Sequence, residues 1–192
     1  LPELASEITI DAQVETIGFQ TFYNYDLRTI SNLTKIVLPQ TLKRIEASTF
    51  AFTDKLKSIE LPAGLERIED CAFFGSGISD ISLKETNIQY IGSGAFSGCP
   101  IEEISLPQIY EIPIDAFSYM PKLQNIYATN TGDGMFDIDG VLYRRINGSL
   151  RLYTYPAGRT AESYTVADGT QYIYGYAFCG ITALKHVTLP EG

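Results

Sequence analysis

Apolar residues recur along this chain in two short phrases, with the polar letters between them free to vary. The first phrase is a pair of apolar residues flanking one variable position. It appears as Ile8-Thr9-Ile10, Ile36-Val37-Leu38, Ile59-Glu60-Leu61, Ile81-Ser82-Leu83, Ile104-Ser105-Leu106, Ile126-Tyr127-Ala128, Tyr164-Thr165-Val166 and Val187-Thr188-Leu189. The steps between first members are 28, 23, 22, 23, 22, 38 and 23 residues. The second phrase is an Ile with a Phe five residues later: Ile17/Phe22, Ile45/Phe50, Ile68/Phe73, Ile91/Phe96, Ile112/Phe117 and Ile173/Phe178. The residue before that Phe is always small: Thr21, Thr49, Ala72, Ala95, Ala116 or Ala177.

Periodicity assigns an element to each phrase. In "LKSIEL" (56–61) apolar and polar residues alternate, so Ile59 and Leu61 share one face of a short strand and Ser58 and Glu60 the other. A proline then ends the strand, because it cannot donate to a ladder. "LERI" (65–68) is a second apolar pair on the return side, and "DCAFFG" (70–75) has room for one helical or 3₁₀ turn. Each unit is thus one coil of a spring. A coil of ~23 residues cannot bury enough area to offset the entropy of ordering it, whereas stacked coils can. The pattern predicts an α/β repeat solenoid with strands starting near 8, 36, 59, 81, 104, 126, 164 and 187. The small residue before each Phe lets that ring lie flat between layers.

The 38-residue step carries an insertion, which makes 126–163 an irregular repeat. Asn147-Gly148 sits between two alternating apolar runs, and Asn-Gly is the preferred centre of a two-residue type I′ hairpin turn. Pairing around it sets Arg145 against Leu150 and Tyr143 against Leu152. This predicts a β-hairpin over residues 136–155 in place of that coil's Ala-Phe turn. Gly132-Asp133-Gly134 reads as a flexible turn leading into it. In the first repeat, "NYDLRTISN" (24–32) departs from the pattern and reads as a longer loop or helix.

The phrases "LKSIELPAGLERIEDCAF", "IGSGAF" and "ALKHVTLPEG", together with the "DGVLY…L…YP" insertion, resemble the BspA-like leucine-rich repeat family of bacterial surface proteins, also found in some protozoa. The resemblance covers residues ~5–192, so 1–192 reads as a single leucine-rich-repeat domain. It implies a right-handed solenoid with a parallel sheet on the concave face and short helical or 3₁₀ turns on the convex side. It also implies export to the cell surface and a role in adhesion or other protein binding.

Composition narrows the chemistry. The net charge is −9, which argues against nucleic acid and against polybasic attachment to anionic lipid. No apolar run approaches the ~20 residues of a membrane span, and "LPELASEITI" has neither the basic nor the apolar region of a signal peptide. The missing starting Met and the stop at "LPEG", within a repeat, read as a piece trimmed from a longer array. Cys71, Cys99 and Cys179 are widely spaced and read as small buried hydrophobes, not zinc ligands. "DGMFDIDG" (133–140) gathers three carboxylates, but its spacing fails the EF-hand loop, and it reads as a solvated turn with Asx bonds. His186 is the sole histidine, and G-x-S-x-G, Walker A and H-E-x-x-H do not occur, so no catalytic set, cofactor or metal is expected.

What remains is surface. The outward strand positions are Lys35 and Val37, Ser58 and Glu60, Asp80 and Ser82, Glu103 and Ser105, Asn125 and Tyr127, His186 and Thr188. Eight strands side by side make a concave ribbon roughly 34 Å wide, ample for a protein partner. Arg144, Arg145 and Arg151 form a hairpin patch, with Arg159 nearby. The patch either pairs with neighbouring acids or docks an anionic partner. Tyr143, Tyr153, Tyr155, Tyr164, Tyr172, Tyr174 and Tyr176 are either sheet core or an aromatic surface for sugar or protein. The leading expectation is a non-enzymatic, secreted or cell-surface adhesion module whose partner is a host matrix protein or a neighbouring surface protein. The alternatives are a structural spacer or stalk, and a carbohydrate-binding module using the C-terminal tyrosines.

Overall fold

A computed structural model of the chain describes residues 6–11, 13–23, 32–130 and 132–191. Its strands are short and mostly parallel, wound as a β-solenoid. The first phrase forms β1 (Glu7–Thr9), β3 (Lys35–Val37), β7 (Glu103–Ser105), β8 (Asn125–Tyr127), β12 (Ser163–Thr165) and β14 (His186–Thr188). The second forms β2 (Thr16–Ile17), β4 (Arg44–Ile45), β5 (Arg67–Ile68), β6 (Tyr90–Ile91) and β13 (Thr170–Ile173). The β2-β4-β5-β6 ladder is parallel and in register, so Ile17, Ile45, Ile68 and Ile91 stand one above another, all buried. The segment 24–31 falls outside the described residues, and with it nearly all of the longer first-repeat loop.

The first-phrase strands do not join into one sheet. They pair as β1–β3, β7–β8 and β12–β14, and Ser58 bridges Asp80 without a ladder on either side. The ribbon of eight continuous strands is therefore replaced, among the described residues, by three short ladders and one isolated bridge.

Among the described residues there is no helix, which corrects the expected helical turns and with them the α/β class. The Ala-Phe segments fold as turn ladders instead. In one coil, Ala72, Phe74 and Ser76 donate their N–H to the carbonyls of Glu69, Cys71 and Phe73, each closing a β-turn. The alternate residues Cys71, Phe73 and Gly75 donate to Ser93, Ala95 and Ser97 of the next coil. The backbone explains why no helix forms. Ser48 and Phe52, Cys71 and Gly75, then Gly94 and Gly98 all have φ between 55 and 79°. A left-handed residue at every fourth position interrupts a right-handed helix.

This ladder sets the aromatic file. Phe22, Phe50, Phe73, Phe96 and Phe117 stack with centroids 5.2, 5.2, 5.4 and 5.9 Å apart, nearly parallel. The small neighbours Thr49, Ala72, Ala95 and Ala116 are fully buried. Thr49 is tolerated there because its Oγ1 donates to Glu46 O at 2.7 Å.

The long step forms an antiparallel meander of three strands, one more than expected: β9 (Gly134–Ile138), β10 (Val141–Ile146) and β11 (Ser149–Thr154). Both of its turns are of the I′ kind. Asp139-Gly140 has φ 50 and 73°, and Asn147-Gly148 has φ 49 and 78°. Tyr143 faces Leu152 and Arg145 faces Leu150, as the Asn-Gly turn requires. β11 then runs parallel to β13, so the meander joins the winding. Tyr155 N donates to Ala177 O at 2.8 Å, the bond that Phe50 N makes to Ala72 O and Phe73 N to Ala95 O. Tyr155 thus holds the place of a file phenylalanine, and its ring lies 5.8 Å from Phe178. The meander also separates two apolar clusters. Met135, Leu142 and Tyr153 belong to the cluster of the preceding coils, and Val141, Tyr143, Leu152 and Tyr155 to that of the following ones.

Candidate functional site

Parallel pairing in register holds the outward residues in pairs. Glu7 stands beside Lys35 and Thr9 beside Val37, Ser58 beside Asp80, Glu103 beside Asn125, and Ser105 beside Tyr127. Lys35, Val37, Ser58, Glu60, Asp80, Ser82, Glu103 and Tyr127 are exposed, and Ser105 and Asn125 half-buried. Two troughs cross this row where ladders are missing. One of about 490 Å³ lies between Lys35–Leu38 and Ser58–Ala63. Its neighbour, about 370 Å³, is lined by Ser58, Glu60, Asp80, Ser82 and Glu85. At the far end Glu103 Oε1 accepts from Asn125 Nδ2 at 2.9 Å and from Tyr127 Oη at 3.3 Å. The Tyr127 phenol is shifted upward by partial desolvation and by Glu103.

The row stops at β8. Beyond it, Ile126 N donates to Gly140 O and Asp137 N to Ala128 O, so the first turn of the meander takes the next place. Arg159 locks that turn with bonds to Gln124 O, Asn125 Oδ1 and Asp139 O. His186 and Thr188 are exposed but lie on the separate β12–β14 pair, not in the row. Two of the three carboxylates of "DGMFDIDG" (133–140) serve backbone donors. Asp137 accepts from Ala128 N and Gly140 N, and Asp133 accepts from Asn147 N. Residues 134–138 of that segment are strand, where a solvated turn was expected.

A family profile described as "BspA type Leucine rich repeat region" matches six copies over residues 28–136 and 151–192. The chain belongs to the BspA-type leucine-rich repeat family. The internal stretch between the two matches, 137–150, contains β10 and both meander turns. Several solved bacterial proteins share the winding. A leucine-rich repeat protein from Eubacterium ventriosum is similar with a TM-score of 0.84 at 22% identity, covering 96% of this chain and 48% of that one. The pneumococcal vaccine antigen PcpA gives 0.72 at 23% identity, covering 97% and 55%. A leucine-rich cell-surface protein from Faecalibacterium prausnitzii gives 0.61 at 21%, covering 96% and 63%. The chain thus spans less than two thirds of each, and at these identities the likeness is one of fold. No curated protein is significantly similar in sequence. Among the described residues, no helix is long and apolar enough to cross a membrane. The BspA-type domain is a leucine-rich repeat scaffold, an architecture generally used for protein interaction.

The hairpin arginines of this BspA-type chain do not form one exposed patch. Arg144 is buried, its Nη2 2.9 Å from Glu111 Oε2 and its guanidinium over the Tyr110 ring. Burial pulls its pKa down, but hydrogen bonding and charge from Glu111, with Tyr174, outweigh that and raise it. Arg145 covers Phe136, and Arg151 covers Tyr172. Arg144 and Arg151 are cross-strand partners on one face, so Arg145 points to the other. Sequence reading also missed a second charged row. Arg44 and Arg67 both reach Glu69 Oε1, at 3.0 and 2.8 Å, and Arg67 lies over Tyr90. Its signal was the repeated "RIE" (44–46, 67–69). Such partly exposed pairs add ~0–1 kcal/mol each.

The tyrosines divide. Tyr143, Tyr153 and Tyr155 are buried, Tyr164 and Tyr174 half-buried, and only Tyr172 and Tyr176 of the set are exposed. Tyr153 donates its hydroxyl to Ile112 O, extending the second-phrase ladder where β-structure lapses before Pro113.

Of the cysteines, only Cys99 is fully buried; Cys71 and Cys179 are half-buried. Cys99 lies 3.0 Å from Phe73 O and 3.4 Å from Ser76 Oγ, and burial pushes its thiol from 9.0 to about 11. The folded state therefore holds this proton more tightly than the unfolded one. The stability this provides is complete below pH 9 and is lost as pH rises through about 11. Urea melts from pH 8 to 11, with Cys99→Ala as the reference, are expected to show that loss. A Cys99 thiol that reacts freely with a disulfide reagent at pH 8 in the native chain, with Cys71 and Cys179 replaced by Ala, would contradict it.

Proposed function

We propose that this chain is a non-enzymatic, surface-displayed protein-binding module, and that the outward row from Lys35 to Tyr127 receives its partner. In this reading residues 1–192 form one repeat domain, and the row lies on the concave side of a right-handed solenoid, as the family resemblance implies. The observation that carries it is the row itself. The strands β3, β7 and β8 and the Ser58–Asp80 bridge between them carry Lys35, Val37, Ser58, Glu60, Asp80, Ser82, Glu103, Ser105, Asn125 and Tyr127 outward, while their neighbours Ile36, Ile59, Ile81, Ile104 and Ile126 do the packing. The middle of the row is acidic, with Glu60, Asp80, Glu85 and Glu103, and the exposed Val37 and Tyr127 frame it. A partner with a basic, shallow surface matches that distribution. Host matrix proteins and neighbouring surface proteins are the candidate classes.

Steering by charge acts mainly on the association rate. Reversing Glu60, Asp80 and Glu103 to Lys is expected to lower that rate at least tenfold for whichever matrix or surface protein the native chain captures. Urea stability is expected to stay within about 0.5 kcal/mol, since all three are exposed. Unchanged capture by the triple variant would favour a spacer or stalk and remove the row from the proposal.

A further inference from the structure

A further concavity lies on the turn ladders, away from the outward row. It holds about 620 Å³ and is lined by, among others, Phe74, Ser93, Asp115, Ser118, Tyr119 and Tyr176. Two of these residues are unusual in the same way. Tyr119 has φ 54° and Tyr176 has φ 64°. Bulky L residues avoid that region because Cβ crowds the neighbouring carbonyl. Several coils meet the same demand with glycine, and others with Phe52, whose ring packs edge-on against Phe74, or with the smaller Gln20, Ser48 and Cys71. Two residues after the file phenylalanine, where Tyr119 stands, come Gly75, Gly98 and Gly180; two residues before it, where Tyr176 stands, comes Gly94.

Core packing does not account for these tyrosines. Tyr119 is 65% exposed and Tyr176 63%, so neither ring repays its backbone strain by burying its own surface. Strain of this kind, retained where glycine would relieve it, marks functional positions. The two rings come from coils on either side of the meander and line one cleft.

We infer that this cleft binds a neutral oligosaccharide, with Tyr119 and Tyr176 as its stacking faces. The volume is that of a small-ligand site. The lining is amphipathic in the way a pyranose is. Flat phenol rings suit the C–H face of a sugar, and hydroxyls that both donate and accept suit its rim. Ser93 Oγ donates to Asp115 Oδ2 at 2.6 Å, and Ser97 Oγ lies 3.2 Å from Ser118 Oγ, so these groups are already oriented. No Lys, Arg or His is among the lining residues, and Asp115 is their one charge. That disfavours sialylated, sulfated or phosphorylated ligands. The site is independent of the outward row and of the protein partner proposed for it.

The test is saturation-transfer NMR and calorimetry on the whole chain. The probes are maltotriose, cellotriose, mannotriose and the trimer of N-acetylglucosamine. Sialyllactose, a proline-rich peptide and a lysine-rich peptide provide the contrast. At least one neutral trisaccharide is expected to bind. Tyr119→Gly and Tyr176→Gly are each expected to weaken it at least tenfold while leaving the thermal midpoint unchanged or higher, because glycine relieves the backbone. Tyr119→Phe is expected to keep binding within about threefold, since the stacking face remains. Ser118→Ala, which leaves the backbone untouched, is expected to weaken binding severalfold. Absence of binding by all four neutral probes overturns the inference. So does binding only to sialyllactose or a peptide, or affinity that survives loss of both rings.

Discussion

Replacing Phe73 with alanine is expected to destabilise the chain by about 3–5 kcal/mol, the upper part of the range for core substitutions. Phe73 is fully buried and stacks on both sides, 5.2 Å from Phe50 and 5.4 Å from Phe96, with interplanar angles of 7 and 6°. Truncation removes two ring contacts and opens a slot between the remaining rings. The slot cannot collapse cheaply. Phe50 N is bonded to Ala72 O at 2.7 Å and Phe73 N to Ala95 O at 2.8 Å, and these bonds fix the spacing of the coils. A site that cannot relax bears the full cost of its cavity. Phe22 supplies the internal control. It stands at the end of the described file, only half-buried, and Phe22→Ala is expected to cost about half as much. Urea denaturation of the two variants measures the difference. A Phe73→Ala cost below about 1.5 kcal/mol would mean that the file does not hold the coils together.

Gly77→Ala is expected to cost about 3 kcal/mol, at the top of the range for overpacking. The backbone of Gly77 is not left-handed, so strain in φ is not the reason. A Cβ at Gly77 would lie 2.0 Å from Asp54 O and 2.6 Å from Asp54 C, in the coil below. Neither atom belongs to a side chain that can swing away. The Gly77 N–H also donates to Thr53 O at 3.0 Å, so moving the coil breaks a ladder bond. Gly175→Ala is the matched control. Nothing lies within 4 Å of a Cβ at that position, and its change is expected to stay within about 0.5 kcal/mol. Thermal melts of both variants decide the matter. Equal midpoints for the two would show that the coils separate more easily than their backbone contact suggests.

Legibility in the sequence followed the reach of the forces involved. The isoleucine and phenylalanine files were readable because each coil repeats the neighbour it needs, and a fixed spacing records that directly. The Asn147-Gly148 turn carried its register with it, because a two-residue turn leaves no freedom in the pairing. The β9 strand hid behind its carboxylates. Asp137 looked solvated in sequence, yet it is drawn in by Ala128 N and Gly140 N. The turn ladders were misread as helical for a similar reason. Their left-handed residues are set by bonds to the next coil, and Ser48, Phe52 and Cys71 stand where glycine would have announced them.

For the candidate site, outward direction was legible and grouping was not. Alternation told which side of each strand Glu60 or Glu103 takes. It said nothing of where ladders lapse, so the troughs beside Ser58 and the displacement of His186 onto another pair were invisible. Arg144 is buried because Glu111, 33 residues earlier, meets it there. Tyr119 did not stand out at all. The available signal was a tyrosine at a position that neighbouring coils give to glycine.

The meander behaves as a bulkhead. In a one-dimensional array, cooperativity passes from each layer to the next. Here the layer in the middle is a three-stranded wall with Leu142 and Tyr153 turned to one compartment and Val141 and Tyr143 to the other. Among the described residues the greasy interior is therefore two chambers sharing a single partition, and damage to one is expected to leave the other still sealed.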